Sequence, residues 1–236
     1  MTWMDRLSLF TPLDFAALAL ILLAWQITGW RIEHPPASRP SVSLLMAEYR
    51  REWMRQMVTR SPRIFDAQTL STLRQSTSFF ASASLIALGG VLAAVANTEQ
   101  LMGLANQITL ESHPAIVWEI KLIASLVFLL NAFLKFVWSN RLFGYCAVLM
   151  GAVPNDPDDP NALPRAAKAA AINVAAARSF NRGLRSVYFA LGSAAWLLGP
   201  EALILGTAVV CAVLLRREFY SQSRNALADA TDRTPV

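Results

Sequence analysis

Charge is what this chain has least of. Asp, Glu, Lys and Arg make up 16% of its 236 residues, against the roughly 25% usual in soluble domains, while 55% are hydrophobic. Two cysteines, Cys146 and Cys211, build no disulfide framework, and the two histidines, His34 and His113, offer no metal-ligand spacing. There is no Gly-rich phosphate loop, no nucleophile elbow and no helix with paired histidines, and no histidine or carboxylate pair falls within an apolar run. These absences point away from an enzyme, a metal centre, a haem or any other cofactor. The net charge of +5 comes almost entirely from arginines outside the apolar runs. That placement suits anionic lipid headgroups and gives no reason to expect nucleic acid.

What the chain does have is hydrophobic length. Residues 13–30 carry no charge after Asp14, and residues 78–96 carry none. Each is long enough to cross a hydrocarbon core of about 30 Å as a helix rising about 1.5 Å per residue. The first run ends in Trp25, Trp30 and Arg31 without a small-residue cleavage site, which fits a retained anchor and not a secretion signal. A third run covers 116–138, and a fourth hydrophobic region covers 187–215.

The loops alternate in charge. Residues 31–77 hold eight arginines, residues 97–115 hold Glu99 and Glu111 without any Lys or Arg, and residues 139–186 are again basic. The positive-inside rule then puts 31–77 and 139–186 in the cytoplasm and the N-terminus outside. Gly199-Pro200-Glu201 interrupts the last region, and Gly ends helices where Pro opens them. Two short spans, 187–198 and 201–215, would return Arg216, Arg217 and Arg224 to the cytoplasm. One long kinked helix would leave the C-terminus outside. The expected fold is therefore an all-α polytopic membrane protein in a single domain, residues 1–220. It has three full spans and a C-terminal helical hairpin, five crossings in all, or four if the last region is one helix. Residues 42–58 read as an amphipathic helix suited to the membrane surface, residues 162–185 as an alanine-rich helix, and residues 221–236 as a disordered tail.

Three groups of residues are candidates for more than packing. Arg63, Asp66 and Arg74 stand before the second span, with Asp66 a natural helix cap within reach of either arginine. Together with Asn181, Arg182 and Arg185 at the base of the fourth span, they could form an inner-leaflet site for an anion or lipid headgroup, or simply anchor the topology. On the third span Lys121, Ser125 and Lys135 share one face, and Asn131 lies deeper. The lysines could guide an anion or snorkel to the headgroups, and Asn131 could bond a neighbouring helix. Ala83, Ala87, Gly90 and Ala94 give the second span a small-residue face for close packing within the bundle or between copies.

Several strings taken together resemble a known family. REWMRQM at 51–57, RIFDAQTL at 63–70 leading into SFFASAS at 78–84, GYCAVLMGAVP at 144–154, FNRGLRSVYFAL at 180–191 and RREF at 216–219 are similar, in the same order, to the family filed as domain of unknown function 599. The resemblance runs from about residue 13 to 220. It implies a chiefly bacterial integral membrane protein of several spans and no established activity. The resulting expectation is a multi-pass protein of the bacterial inner membrane with its C-terminus in the cytoplasm. It would be a non-enzymatic accessory, scaffolding or self-assembling subunit in contact with anionic phospholipids and with further copies or other membrane subunits. The competing expectation is a small anion channel or transporter.

Overall fold

The computed structural model describes residue 6, residues 8–99 and residues 114–229. Among these the chain is all-α: α1 (Pro12–Glu33), α2 (Val42–Met57), α3 (Ile64–Ala96), α4 (Ala115–Gly151), α5 (Ala162–Ala194), a single 3-10 turn (Ala195–Leu198), α6 (Pro200–Phe219) and α7 (Gln222–Ala228). Glu111 and His113 lie outside the described residues. Three helices, α1, α3 and α4, are long and apolar enough to cross a membrane. At about 1.5 Å per residue the 22 residues of α1 reach about 33 Å, close to one hydrocarbon core. The 33 residues of α3 and the 37 of α4 outrun it, so each apolar run continues as helix into a polar segment.

Local chemistry sets the helix ends. Thr11 and Asp14 cap α1 reciprocally: the Asp14 N–H donates to the Thr11 hydroxyl at 3.2 Å and the Asp14 carboxylate accepts the Thr11 N–H at 3.0 Å. Ser41 caps α2, accepting the Leu44 N–H at 3.3 Å while its hydroxyl donates to the Ile32 carbonyl at 2.8 Å. At the end of the 3-10 turn Gly199 adopts φ +116°, a conformation that side chains oppose, and Pro200 opens α6. The chain reverses there. A Cβ on Gly206 would stand 3.1 Å from the Gly192 carbonyl, so residues equally far before and after Gly199 face each other across the hairpin.

The contacts group into two compact units. Unit 1 comprises residues 1–30, 82–133 and 184–214, and unit 2 residues 31–81, 134–183 and 215–236. Unit 1 packs around Ile21, Phe128, Phe189, Trp196 and Leu203, with Trp25 edge-on to Phe128 at 5.3 Å. Unit 2 sets the buried alanines of α5 (Ala162, Ala166, Ala169, Ala170) against Leu142, Phe143, Cys146 and Met150 of α4. Small alanine side chains are what let those two helices close.

The apolar side of α2 is turned inward only in part: Leu45, Met54 and Met57 are buried, the last two in the core of unit 2, while Met46 and Tyr49 remain exposed. A periodic apolar face requires burial but does not say against what. The stretch after residue 221 begins with structure, because Ser221 caps α7 by accepting the Arg224 N–H at 3.1 Å; residues 230–236 lie outside the described residues.

Candidate functional site

Arg63 stands just before α3, and all three nitrogens of its guanidinium are engaged. It donates to the carbonyls of Met57 (3.2 Å), Val58 (3.2 Å), Val153 (2.7 Å) and Pro154 (2.6 Å). These are carbonyls that the ends of α2 and α4 leave without helical partners. Asp66, in the first turn of α3, is completely buried; one carboxylate oxygen accepts the Trp53 indole N–H at 2.7 Å and pairs with Arg60. The expected pairing of Asp66 with Arg63 or Arg74 is thus replaced by Arg60, because Arg63 is spent on backbone.

Arg63 and Arg74 nevertheless meet at one place. A cavity of about 700 Å³ in unit 2 is lined on the α3 side by Ala67, Leu70, Ser71, Arg74, Gln75 and Ser78. These positions recur every three or four residues and so form one helix face. Asn140, Ala147, Met150 and Gly151 of α4 form the opposite wall, and Met57, Arg63 and Asn155 complete the lining. The volume lies in the range of small-molecule sites, roughly 300–1,000 Å³. Arg74 is exposed, and among the described residues none gives it a hydrogen bond or ion pair. The Asn140 amide oxygen is buried with no partner, which is unfavourable unless something donates to it. The lining carries two positive charges and no carboxylate.

The other members of the expected inner-leaflet site do not join it. Asn181 donates to the Ser43 hydroxyl at 3.3 Å, and Arg182 forms a two-pronged ion pair with Glu33. That bond to Glu33 raises the Arg182 pKa above the ordinary arginine value. Arg185 belongs to unit 1, where it is buried beside Gly29. Elsewhere in unit 2 Arg50 donates to Asn173 at 2.6 Å, and burial pushes its pKa down.

The polar face of α4 is used for packing. Ser125 shares a hydrogen bond with Ser193 at 2.8 Å, and Asn131 donates to the Ser186 hydroxyl at 2.6 Å. Lys121 and Lys135 fall in different units. Lys121 is buried, its ammonium 5.9 Å from the Trp118 ring, and the backbone carbonyl of Lys135 accepts from Ser179 at 2.8 Å. On the small-residue face of α3, Ala87 and Gly90 are exposed and Ala83 and Ala94 are half-buried, and among the described residues no atom stands within 4 Å of a Cβ on Gly90. The packed stripe is instead Ser84, Leu88 and Val91. Overall, only 11% of the most apolar stretch of α3 is buried by the chain.

Sequence reasoning missed Asn140 and Gln75, which are isolated polar residues without a motif. It also missed a polar knot in unit 1, where Trp196 donates to Asp14 at 2.7 Å. Asp14, Trp118 and Lys121 line a pocket of about 100 Å³ there, and the Trp118 indole N–H is buried without a partner. A third omission is Gly183, where a Cβ would lie 2.7 Å from the Phe136 ring. Among the described residues no three His, Cys, Asp or Glu side chains gather as metal ligands would.

Over residues 16–223 the chain matches the family described as "Protein of unknown function, DUF599", and it belongs to that family. No curated protein and no solved structure matches it.

Proposed function

We propose that this family member is a non-enzymatic, multi-pass protein of the bacterial inner membrane that works by binding an amphipathic small molecule in the cavity between α3 and α4. The observation that carries the reading is the pairing of an uncommitted Arg74 with an unpartnered Asn140 amide over a floor of Met57, Leu70, Ala147 and Met150. Polar groups on one side and apolar groups on the other match an amphiphile. Three apolar helices support the membrane setting, and the alternating arginines support an outer N-terminus and a cytoplasmic C-terminus. With the reversal at Gly199, the same charges support five crossings.

Ser71→Trp tests the reading, because residue 71 is exposed on the lining face and an indole there would obstruct part of the cavity beside Arg74. Lipids and other amphiphiles retained after purification in mild detergent are measured per chain by mass spectrometry. Wild type is expected to keep at least one that Ser71→Trp loses, while the two melt alike once stripped of lipid. Equal retention by both would refute a binding role for the cavity.

The open face of α3 favours a second role, self-assembly with another copy as an accessory or scaffolding subunit. Gly90→Cys should then form an intermolecular disulfide in membranes, and a monomer by native mass measurement would count against it.

A further inference from the structure

We infer that the cavity ligand is an acidic glycerophospholipid whose headgroup carries free hydroxyls, its phosphate held by Arg74 and a hydroxyl by the Asn140 amide. The inference rests on the cavity-binding reading above and adds the ligand's chemical class.

Charge decides the first half. The only charged residues in the lining are Arg63 and Arg74. Arg63 spends its donors on four carbonyls, and Asp66, the nearest acid in sequence, turns one oxygen to Trp53 and Arg60. Arg74 is left to bind a ligand anion, and its planar fork matches two phosphate oxygens. Ser71 and Ser78 stand one turn before and one turn after Arg74 on the same face, so their hydroxyls flank the same position. An ethanolamine or choline headgroup would bring an ammonium into a cavity without a carboxylate in its lining, and like charges repel there.

Hydrogen-bond accounting decides the second half. The buried Asn140 oxygen needs a donor. A phosphodiester ionised at neutral pH offers only acceptors, so the donor must be another group on the ligand. A headgroup hydroxyl supplies it without adding positive charge. The glycerol backbone and the start of the acyl chains then meet Leu70, Ala147 and Met150, and Phe79, exposed directly after Ser78, continues the apolar surface. That apolar half distinguishes a lipid from a soluble polyol phosphate carrying the same headgroup.

The test is competitive native mass spectrometry of the full chain in detergent. The arms are equimolar phosphatidylglycerol, phosphatidic acid and phosphatidylethanolamine, and glycerol 3-phosphate as the soluble competitor. Wild type should hold phosphatidylglycerol over phosphatidylethanolamine by about tenfold or more, the worth of a charge-assisted hydrogen bond. Arg74→Gln should abolish that preference and Arg74→Lys should keep part of it. Asn140→Leu should erase only the preference for phosphatidylglycerol over phosphatidic acid. Among the described residues Arg74 has no protein partner to lose, so its variants should melt with wild type once both are stripped of lipid. Equal binding of all three lipids, unmoved by Arg74→Gln yet lost in Ser71→Trp, would overturn the headgroup inference and leave the cavity reading intact. Binding unmoved by Ser71→Trp would overturn the cavity reading itself. Displacement of the lipid by an equal concentration of glycerol 3-phosphate would overturn the lipid assignment.

Discussion

Replacing Arg63 should damage this fold more than replacing any exposed arginine. Its guanidinium ties the end of α2, through Met57 and Val58, to the end of α4, through Val153 and Pro154. A hydrogen bond to a charged group contributes about 1.5–3 kcal/mol. Because Arg63 is half-buried, water can reach some of the freed carbonyls, so the four bonds do not add in full. A loss of about 2–4 kcal/mol for Arg63→Ala is the reasonable expectation. In a chain of this size each kcal/mol moves the melting temperature by about 2–4 °C, which gives a fall of about 5–15 °C. Arg63→Lys keeps the charge but loses the fork, since one ammonium cannot reach both helix ends, and should lie roughly midway. Arg51→Lys, exposed on α2, should change nothing measurable. Tryptophan fluorescence melting in one detergent, with the variants side by side, reads all three. Arg63→Lys melting with wild type would mean that charge alone is needed there, as topology anchoring requires, and would refute the clamp.

Other outcomes follow from single contacts. Gly183→Ala should cost about 1–3 kcal/mol by overpacking, since its Cβ would lie 2.7 Å from the Phe136 ring; pairing it with Phe136→Leu should recover part of the loss in the same melting assay. Trp196→Phe should destabilise by about 1.5–3 kcal/mol by stripping Asp14 of a 2.7 Å hydrogen bond. Trp118→Phe should be neutral or stabilising, because the N–H it removes is buried without a partner. For topology, Glu201→Cys should react with an impermeant thiol reagent added to spheroplasts and Ser223→Cys should not; labelling at residue 223 would require residues 187–215 to cross only once.

Much of the architecture is readable because its causes are local. Apolar runs of membrane length become α1, α3 and α4, and the Gly199-Pro200 step marks the reversal because its backbone chemistry works within two residues. Asn131 is legible as a helix-bonding residue because an amide in an apolar run must find a partner, and Ser186 provides it. What is not readable depends on partners distant in sequence. Nothing near Arg63 announces that two of its acceptors lie 90 and 91 positions away, so charge and proximity point to Asp66 instead. The small residues of α3 advertise where a helix could come close and not whether one does, and here Ser84, Leu88 and Val91 are the packed positions. Asn140 and Gln75 carry no motif, and they become visible only when α4 and α3 bring their faces to one cavity. The string at 180–191 marks the family, yet its reasons are contacts: Phe180 packs with Phe80 and Phe136, Arg182 pairs with Glu33, and Gly183 makes room for a ring.

The most direct test of a lipid-binding cavity is photocrosslinking in living cells. A benzophenone amino acid replaces Gln75 on the lining face or, as a control, Arg165 at the exposed start of α5. After irradiation, intact-mass analysis should find an adduct of phospholipid mass at position 75, absent at position 165 and lost when Ser71→Trp obstructs the cavity. A protein adduct at position 75, or equal lipid adducts at both positions, would contradict the account.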